Sequence, residues 1–463
     1  DLEEGVIVGS GVFEYKKILS EKYQAQKIII DENEYPLAGA IAQLGIKKMD
    51  DNFNLKNAAP IYIRNNVAII FDLCDKNIGE QLMEFARSEE QDAIFDMAYG
   101  FGQDHIAPHA LTWDRQGAIP KHLWPKVAEL GLAGIYVREQ SGGSGLSRLD
   151  AALVFEALAM ACPSVGSFLS IHNMCGGMID SFGSEETRAK WLPDICAMTK
   201  IFSYCLTEPG SGSDAAALRT RATRSNEGYA LSGTKAFISG GGYSDAYIVM
   251  CRTGEDGPKG ISAVVVEDGA PGLSFGALED KMGWRAQPTA QVQFDDCKIP
   301  SDNLIGDEGH GFRYAMAGLD GGRLNIAASA LGGAQNALNM TLAYMGERKA
   351  FGKTIDQFQA LQFKLAEMEV KLQSARVFLH QAAWKLDTEA TDAGKFCAMA
   401  KLYVTDASFE VANTCLQLHG GYGYLSDYGI EKIVRDLRVH QILEGTNEIM
   451  RMIISRQMLS DRG

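Results

Sequence analysis

Apolar residues recur every three or four positions over two long stretches of the chain and alternate over shorter runs between them. Residues 78–200 read as mainly helical, most plainly in QLMEFARSEEQDAIFDMAYGFGQDHIAPHA and HLWPKVAELGL. Between 201 and 300 the period shortens. IFSYCLTE, YALSGTKAFIS, AYIVMCRT, ISAVVVED and TAQVQFDDC are β-rich runs separated by Gly, Pro, Asp and Asn, with no helical pattern between them. That spacing predicts a small antiparallel β-domain. From 310 onward the helical period returns: Leu361, Leu365, Met368, Leu372, Ala375 and Leu379 step by 4, 3, 4, 3, 4 and form one apolar stripe, a core face of a bundle helix. The first 77 residues mix a β-like run (VIVGSGVF), an apolar stretch at helical spacing (PLAGAIAQLGIKKM) and an extended PIYIRNNVAII. The expected fold is α+β and mainly α. It has an extra N-terminal α/β fragment (1–77), an N-terminal helical domain (78–200), a middle antiparallel β-domain (201–305) and a C-terminal four-helix-bundle-like domain (306–463).

Composition narrows the partners. A length of 463 residues suits about three domains. A net charge of −15 argues against nucleic-acid or anionic-membrane binding. No run of 18 apolar residues occurs, so no membrane span is expected. The nine cysteines never take CxxC spacing, which disfavours a zinc or dithiol site and fits buried free thiols in a reducing compartment. DLEEGVIVGSG lacks the features of a signal or transit peptide. The expected location is therefore cytoplasmic in a bacterium, or the mitochondrial matrix in a eukaryote whose transit peptide is removed or missing.

Several motifs have bland readings. LTEPGSGSDAAA contains G-x-G-x-x-A at Gly210, Gly212 and Ala215, but Pro209 precedes it and no apolar-faced helix follows, so a Rossmann site is rejected. A backbone-lined cofactor loop stays open, because small residues let the chain approach a ligand. SGGSG at 141–145 reads as a helix–helix loop, His172 as a satisfied or wall-lining histidine, Trp284 as core, and HGGYGY at 419–424 as a helix end. In QILEGTNEIMR, Thr446 or Asn447 is a good N-cap, which puts Glu448 in the first turn of the last helix, where the dipole favours a carboxylate by about 0.3–1 kcal/mol. Glu444 lies before that helix and beside Gly445, where turn chemistry asks for no acid.

YCLTEPGSGSDA, KAFISGG, KMGWRAQPT, ERKAFGKTIDQFQALQFKLAEM, LQLHGGYGYLSDYGIEKIVRD and HQILEGTNEIMR together resemble the acyl-CoA dehydrogenases, in that family's order and over about residues 78–463. SGGSGLSRLD, FEALA, SIHNMC, MIDSFG and VMCRTG…GPKGIS are most similar to its isobutyryl-CoA branch, which serves valine catabolism. The resemblance implies FAD between the domains with an acyl-CoA thioester beside the flavin. It places Tyr204, Leu206, Thr207, Gly212 and Ser213 along the flavin ring, with Phe237, Ile238 and Ser239 flanking it. Arg348, Phe351, Phe358 and Gln359, with Gln417, Leu418, Gly420 and Gly421, would meet the pyrophosphate and adenosine of a neighbouring subunit's FAD in a homotetramer. Thr446 and Asn447 would sit by the FAD phosphates, with the Glu448 backbone in reach. Ser213, Asp320, Gly321, Gly322, Arg323 and Gly445 would contact substrate, with Arg456 a weaker CoA-side candidate. No metal is implied.

Removing hydrogen from an acyl thioester needs a base at Cα, an electron sink at Cβ and N–H donors for the enolate-like oxygen. The resemblance makes Glu444 the base, its backbone N–H one of the donors, and an electron-transferring flavoprotein the acceptor. It implies a short 2-methyl-branched acyl-CoA, isobutyryl-CoA first, with 2-methylbutyryl-CoA or a short straight acyl-CoA as the alternative. An acyl-CoA oxidase would reveal itself by peroxide; a non-enzymatic interaction protein would have no need of Glu444 and the FAD motifs.

EYPLAGAIAQLGIKKM and AAPIYIRNNVAI resemble the C-terminal end of the bacterial factor (the TsaB type) that helps build threonylcarbamoyl-adenosine in tRNA. The nucleotide-binding-like half of that fold is missing, so the segment is assigned no activity. A joining of neighbouring genes or a truncated scaffold is expected over a functional fusion, and an enzyme starting near residue 78 by mass spectrometry would dispose of the fusion.

Overall fold

Serines mark where the helical half begins. Ser88 and Gln91 form a capping box in which each side chain takes the other's backbone N–H at 3.1 Å, opening α1 (Glu89–His105). The structure, a computed structural model, describes residues 86–226 and 228–460 together with four strands nearer the start of the chain. The chain divides into two units, 1–82 and 83–463. In the first, β1 (Glu4–Val8) pairs in parallel with β2 (Lys27–Asp31), and β3 (Ala58–Ile63) pairs antiparallel with β4 (Val67–Asp72). β1 overlaps the VIVGSGVF run and β3 and β4 the PIYIRNNVAII run, whereas β2 falls on neither; PLAGAIAQLGIKKM and most of the tRNA-factor resemblance lie outside the described residues.

In the second unit α1 is followed by α2 (Ala110–Gln116), α3 (Trp124–Glu129), α4 (Arg148–Ala161), α5 (Pro163–Phe182) and α6 (Glu185–Cys196). α4 and α5 are apolar or small on nearly every side and are buried over almost their whole length, as such helices must be. SGGSG is the loop between α3 and α4, with Gly142 and Gly145 at positive φ.

The middle segment forms a sheet from β5 (Phe202–Cys205), β6 (Arg221–Ser225), β7 (Gly228–Ser239), β8 (Ala246–Arg252), β9 (Ile261–Glu267), β10 (Leu273–Phe275), β11 (Thr289–Pro300) and β12 (Leu304–Ile305). The order is β10-β11-β7-β6-β8-β9-β12, antiparallel along most of its ladders. β5 joins β8 in parallel, Phe202 opposite Ala246, and β6 meets β8 in one parallel pair. β8 is buried on both faces. Ala246, Ile248 and Met250 pack with α5 and α6, while Tyr247, Val249 and Cys251 fill the other side, the alternation a strand imposes.

The C-terminal half comprises α7 (Gly311–Glu347), the short strands β13 (Lys349–Ala350) and β14 (Lys353–Thr354), α8 (Gln359–Asp387), α9 (Ala393–Leu418), α10 (Ile430–Arg438) and α11 (Asn447–Ser460). Along the apolar stripe of α8, Met368, Leu372, Ala375 and Leu379 are buried, while Leu361 and Leu365 are half-buried. A buried leucine contributes about 1.5–3 kcal/mol. One core joins Phe155 and Leu158 of α4 to Leu331 of α7, Leu372 of α8 and Val404 of α9, so helices far apart in sequence share it. Eight described cysteines are free thiols, seven of them buried.

Candidate active site

The turn before α11 separates the two glutamates. Thr446 is the cap: its Oγ1 accepts the Ile449 N–H at 3.3 Å and its carbonyl accepts that of Met450 at 3.0 Å. Glu448 is exposed in the first helical turn, 3.6 Å from Arg451; its own backbone N–H and the Thr446 hydroxyl hold its carboxyl below the usual range. Glu444 lies before the cap with φ +54°, and Gly445 follows at φ +86°. Two consecutive left-handed residues reverse the chain, at a cost on the order of 1–3 kcal/mol for the non-glycine one.

This reversal turns the Glu444 side chain inward. The residue is half-buried, but its Oε2 is fully buried and accepts no hydrogen bond among the described residues. Burial raises its pKa to about 7, against the opposing pull of Arg323 and Lys401. The carboxylate lies against α7 at Gly322, where an added Cβ would stand 2.8 Å from Oε2 and 3.5 Å from Met174 Sδ. Gly322→Ala must therefore push the carboxylate aside; kcat is expected to fall on the order of 100-fold with the fold intact, as steady-state kinetics would show.

Around the carboxylate stand groups of two kinds. Arg323, buried on α7, donates from Nη1 to Asp320 Oδ1 at 2.5 Å, while its Nε has no partner among the described residues. Burial raises the Asp320 carboxyl, with Arg323 opposing. The Tyr204 hydroxyl is buried without a partner among the described residues; burial first, then the Glu444 charge, raises its pKa. Burial also raises the Cys175 thiol, with a further push from Glu444. Lys401 of α9, absent from the sequence expectations, donates to the Gly445 carbonyl and to Asn447 Oδ1, both at 2.8 Å. Asn447 also donates to Asp406 Oδ1 at 2.7 Å and Thr405 Oγ1 at 3.1 Å. Its side chain is thus turned into the protein, and what it offers a cofactor is backbone.

The 206–220 segment docks on β7. Thr207 O accepts the Ala236 N–H at 2.8 Å, and Lys235 Nζ reaches Leu206 O and Glu208 Oε1, both at 2.9 Å. Neither Lys235 nor Glu208 was singled out from sequence. Beside them Phe237 is held at φ +58° with its ring 69% exposed, an unusual position for an aromatic residue on a strand. Ile238 is buried, and Ser239 O accepts the Ser203 hydroxyl at 2.5 Å. Gly210 and Gly212 face open space and Ser213 is exposed; only one 3₁₀ turn, Ala215–Ala217, follows, so no Rossmann helix forms.

A concavity of about 650 Å³ lies where α7, α8 and α9 end or begin, lined by Tyr344, Arg348, Ile355, Leu361, Gln417, Leu418, His419, Gly420, Gly421, Tyr422 and Leu425. Gly420 and Gly421 leave it open, since a Cβ on either would meet nothing within 4 Å. Next to it Phe351 is 97% exposed at φ +52°, its ring 6.2 Å from Phe358, and Gln359 opens α8. From Lys401 to Leu418 along α9 is about 25 Å at 1.5 Å per residue. The concavity and the Glu444 turn are therefore separate places. Arg456 joins neither: it is exposed on α11, about 14 Å along the axis from Asn447.

Other singled-out residues serve the core. His172 donates from Nε2 to Ile195 O at 3.0 Å and accepts the Phe202 N–H on Nδ1 at 3.1 Å; burial lowers its pKa to about 4, so it is a neutral, satisfied histidine. Trp284 is buried at φ +51°, its N–H on Asp436 Oδ1 at 2.6 Å and its indole on His440 at 3.2 Å.

The groups near β7 and Glu444 suit a flat, polar-edged cofactor: an exposed aromatic, buried oxygens at Tyr204 and Glu444 that have no partner among the described residues, and glycines facing open space. Family models for the acyl-CoA dehydrogenase N-terminal, middle and C-terminal domains match residues 88–199, 203–297 and 309–459. The chain is 53% identical over 374 residues to a mitochondrial isobutyryl-CoA dehydrogenase of Bos taurus, covering 81% of this chain and 90% of that one. It is 52% identical over 375 residues to the mitochondrial isobutyryl-CoA dehydrogenase of Dictyostelium discoideum, with the same coverage of 81% and 90%. The solved butyryl-CoA dehydrogenase of Megasphaera elsdenii superposes with a TM-score of 0.79 at 38% identity, over 81% of this chain and 100% of that one. The chain belongs to the acyl-CoA dehydrogenase family and is an FAD-dependent oxidoreductase.

Proposed function

We propose that the enzyme dehydrogenates a short 2-methyl-branched acyl-CoA, isobutyryl-CoA first, to the 2-enoyl-CoA, with Glu444 removing the α-proton. The observation that carries this reading is the Glu444 carboxylate: an oxygen buried without a partner among the described residues, on a left-handed turn, with a pKa raised to about 7. An α-proton beside a thioester is weakly acidic, and a base is most effective when its pKa lies near the working pH. Charge developing on the thioester oxygen needs N–H donors. The N–H of Glu444, which has no acceptor among the described residues, is proposed as one of them.

FAD, when bound along β7 and the 204–213 segment, supplies the acceptor for the β-hydride. Tyr204, Leu206, Thr207, Gly212, Ser213 and Phe237–Ser239 would hold its ring, and Thr446 and the backbone of Asn447 and Glu448 its phosphates. Arg348, Phe351, Phe358, Gln359, Gln417, Leu418, Gly420 and Gly421 would receive the far end of a neighbouring subunit's cofactor, so a homotetramer is part of the proposal. The separation of about 25 Å along α9 supports that division. Asp320–Arg323 and Gly445 would contact substrate close to the thioester, because Arg323 is buried beside Glu444. An electron-transferring flavoprotein is proposed as electron acceptor. The isobutyryl-CoA dehydrogenases at 52–53% identity support the branched acyl group, and their mitochondrial naming supports a matrix location in a eukaryote. Among the described residues no helix is long and apolar enough to cross a membrane.

The test is an acyl-CoA panel. Anaerobic isobutyryl-CoA is expected to bleach the yellow flavin fastest, ahead of 2-methylbutyryl-CoA by roughly 10-fold or more, since its one extra methylene is worth about 1–3 kcal/mol, and ahead of the straight-chain isomer butyryl-CoA. A faster butyryl-CoA would move the substrate to the straight-chain class.

A further inference from the structure

Nothing in the sequence marks Lys401, yet it is 0% exposed and sits under the Glu444 turn. A buried ammonium needs partners. It has two acceptors, the Gly445 carbonyl and Asn447 Oδ1, and both belong to the segment that follows Glu444. One turn further along α9, Thr405 and Asp406 grip the same segment. Asp406 Oδ1 accepts from Asn447 and from Gln441, both at 2.7 Å, so α9 holds the chain on either side of Glu444. The residue between these grips has φ +54°, a backbone that a glutamate adopts only under constraint.

We infer that Lys401 is a positioning residue for the reaction: it pins the backbone reversal that aims Glu444 at the substrate, and its charge favours the carboxylate form. This rests on the reading of Glu444 as the base. The charged and titratable groups facing the pair are Arg323 from α7, Asp406 from α9 itself, Glu448 from α11 and His440 of the turn after α10, which burial keeps neutral. Arg323 and Lys401 both favour ionised Glu444, whereas Tyr204 and Cys175 beside it are neutral. Burial lowers the Lys401 pKa to about 7, with Glu444 opposing, so the ammonium is itself held in place by the carboxylate it supports.

The experiment uses the FAD-loaded enzyme with Lys401→Met, which removes the charge and the donors, and Lys401→Gln, which keeps a donor of similar length. Lys401→Met is expected to bind FAD, to lower kcat on the order of 10- to 100-fold and to change KM less than about 3-fold. The acid limb of its kcat–pH profile should move up by about one pH unit. Lys401→Gln should recover part of kcat but show the same displaced limb; it also supplies loaded protein should the Met variant fail to fold. A purely structural lysine would lower FAD content and thermal stability and leave the limb where it was. An unmoved limb in either loaded variant, or a kcat equal to wild type, overturns the inference while Glu444 stands as the base. If Glu444→Gln instead retains turnover, the base reading fails first and this inference falls with it.

Discussion

Glu444→Gln is expected to keep its bound yellow flavin and to lose isobutyryl-CoA turnover by roughly 10²- to 10⁴-fold, the range that a general base supplies. The amide matches the carboxylate in volume, so the contact with Gly322 and the turn at φ +54° survive. What is lost is the atom that takes the proton. Acyl-CoA-dependent bleaching reads this directly, and retained bleaching would refute the role. The same substitution has a stability signature. Glu444 has a folded-state pKa of about 7, above its ordinary value of 4.5. The folded protein therefore holds this proton more tightly than the unfolded chain does. The stability this contributes is fully present below about pH 4.5 and is lost as pH rises through 7. At pH 8 the ionised carboxylate costs up to about 3 kcal/mol, so Glu444→Gln should melt above wild type there and level with it at pH 4.5. A base tuned by burial predicts this opposition between activity and stability; a carboxylate that is merely structural does not.

Periodicity and capping are local, and what they govern was legible in the sequence. The apolar stripe of α8 follows from spacing alone, and the distinction between Glu444 and Glu448 follows from where a cap can stand. The groups that tune the site were not legible, because their partners are distant in sequence. Lys401 meets Gly445 and Asn447 across 44 and 46 residues, and Lys235 meets Glu208 across 27. Each is an ordinary charged residue until the fold buries it. The positive φ at Glu444 and Phe237 was equally hidden, since neither residue type announces a left-handed backbone. The parallel seat of β5 on β8 was also invisible, because strand runs carry no record of their direction of pairing.

Glu208→Ala is expected to destabilise the protein by about 3–5 kcal/mol and to release FAD, although Glu208 is not proposed to touch the cofactor. Lys235 is 0% exposed, and Glu208 is its charge partner at 2.9 Å. Burial alone would raise the Glu208 carboxyl, but the ammonium and the backbone N–H of Arg219 and Thr220, at 2.6 and 2.8 Å, outweigh it and hold it below the usual range. The contribution is therefore present above the ordinary glutamate pKa and is lost as pH falls through the folded value. Removing the carboxylate leaves Lys235 buried with only the Leu206 carbonyl and no counter-charge, and leaves the Arg219 and Thr220 N–H groups without this acceptor; an uncompensated charge costs more than the pair contributes. The loop so released is the one that brings Leu206 and Thr207 against Lys235 and Ala236 of β7, next to Phe237 in the strand, so flavin content should fall with stability. Glu208→Leu combined with Lys235→Met removes both charges together. It should recover most of the denaturation midpoint, because two apolar residues replace a desolvated pair, yet recover less of the flavin, because the N–H groups of Arg219 and Thr220 still lack their acceptor. Denaturation followed by intrinsic fluorescence, with flavin absorbance per subunit, separates the two effects. Full flavin and an unchanged midpoint in Glu208→Ala would show that this ion pair does not hold the cofactor loop.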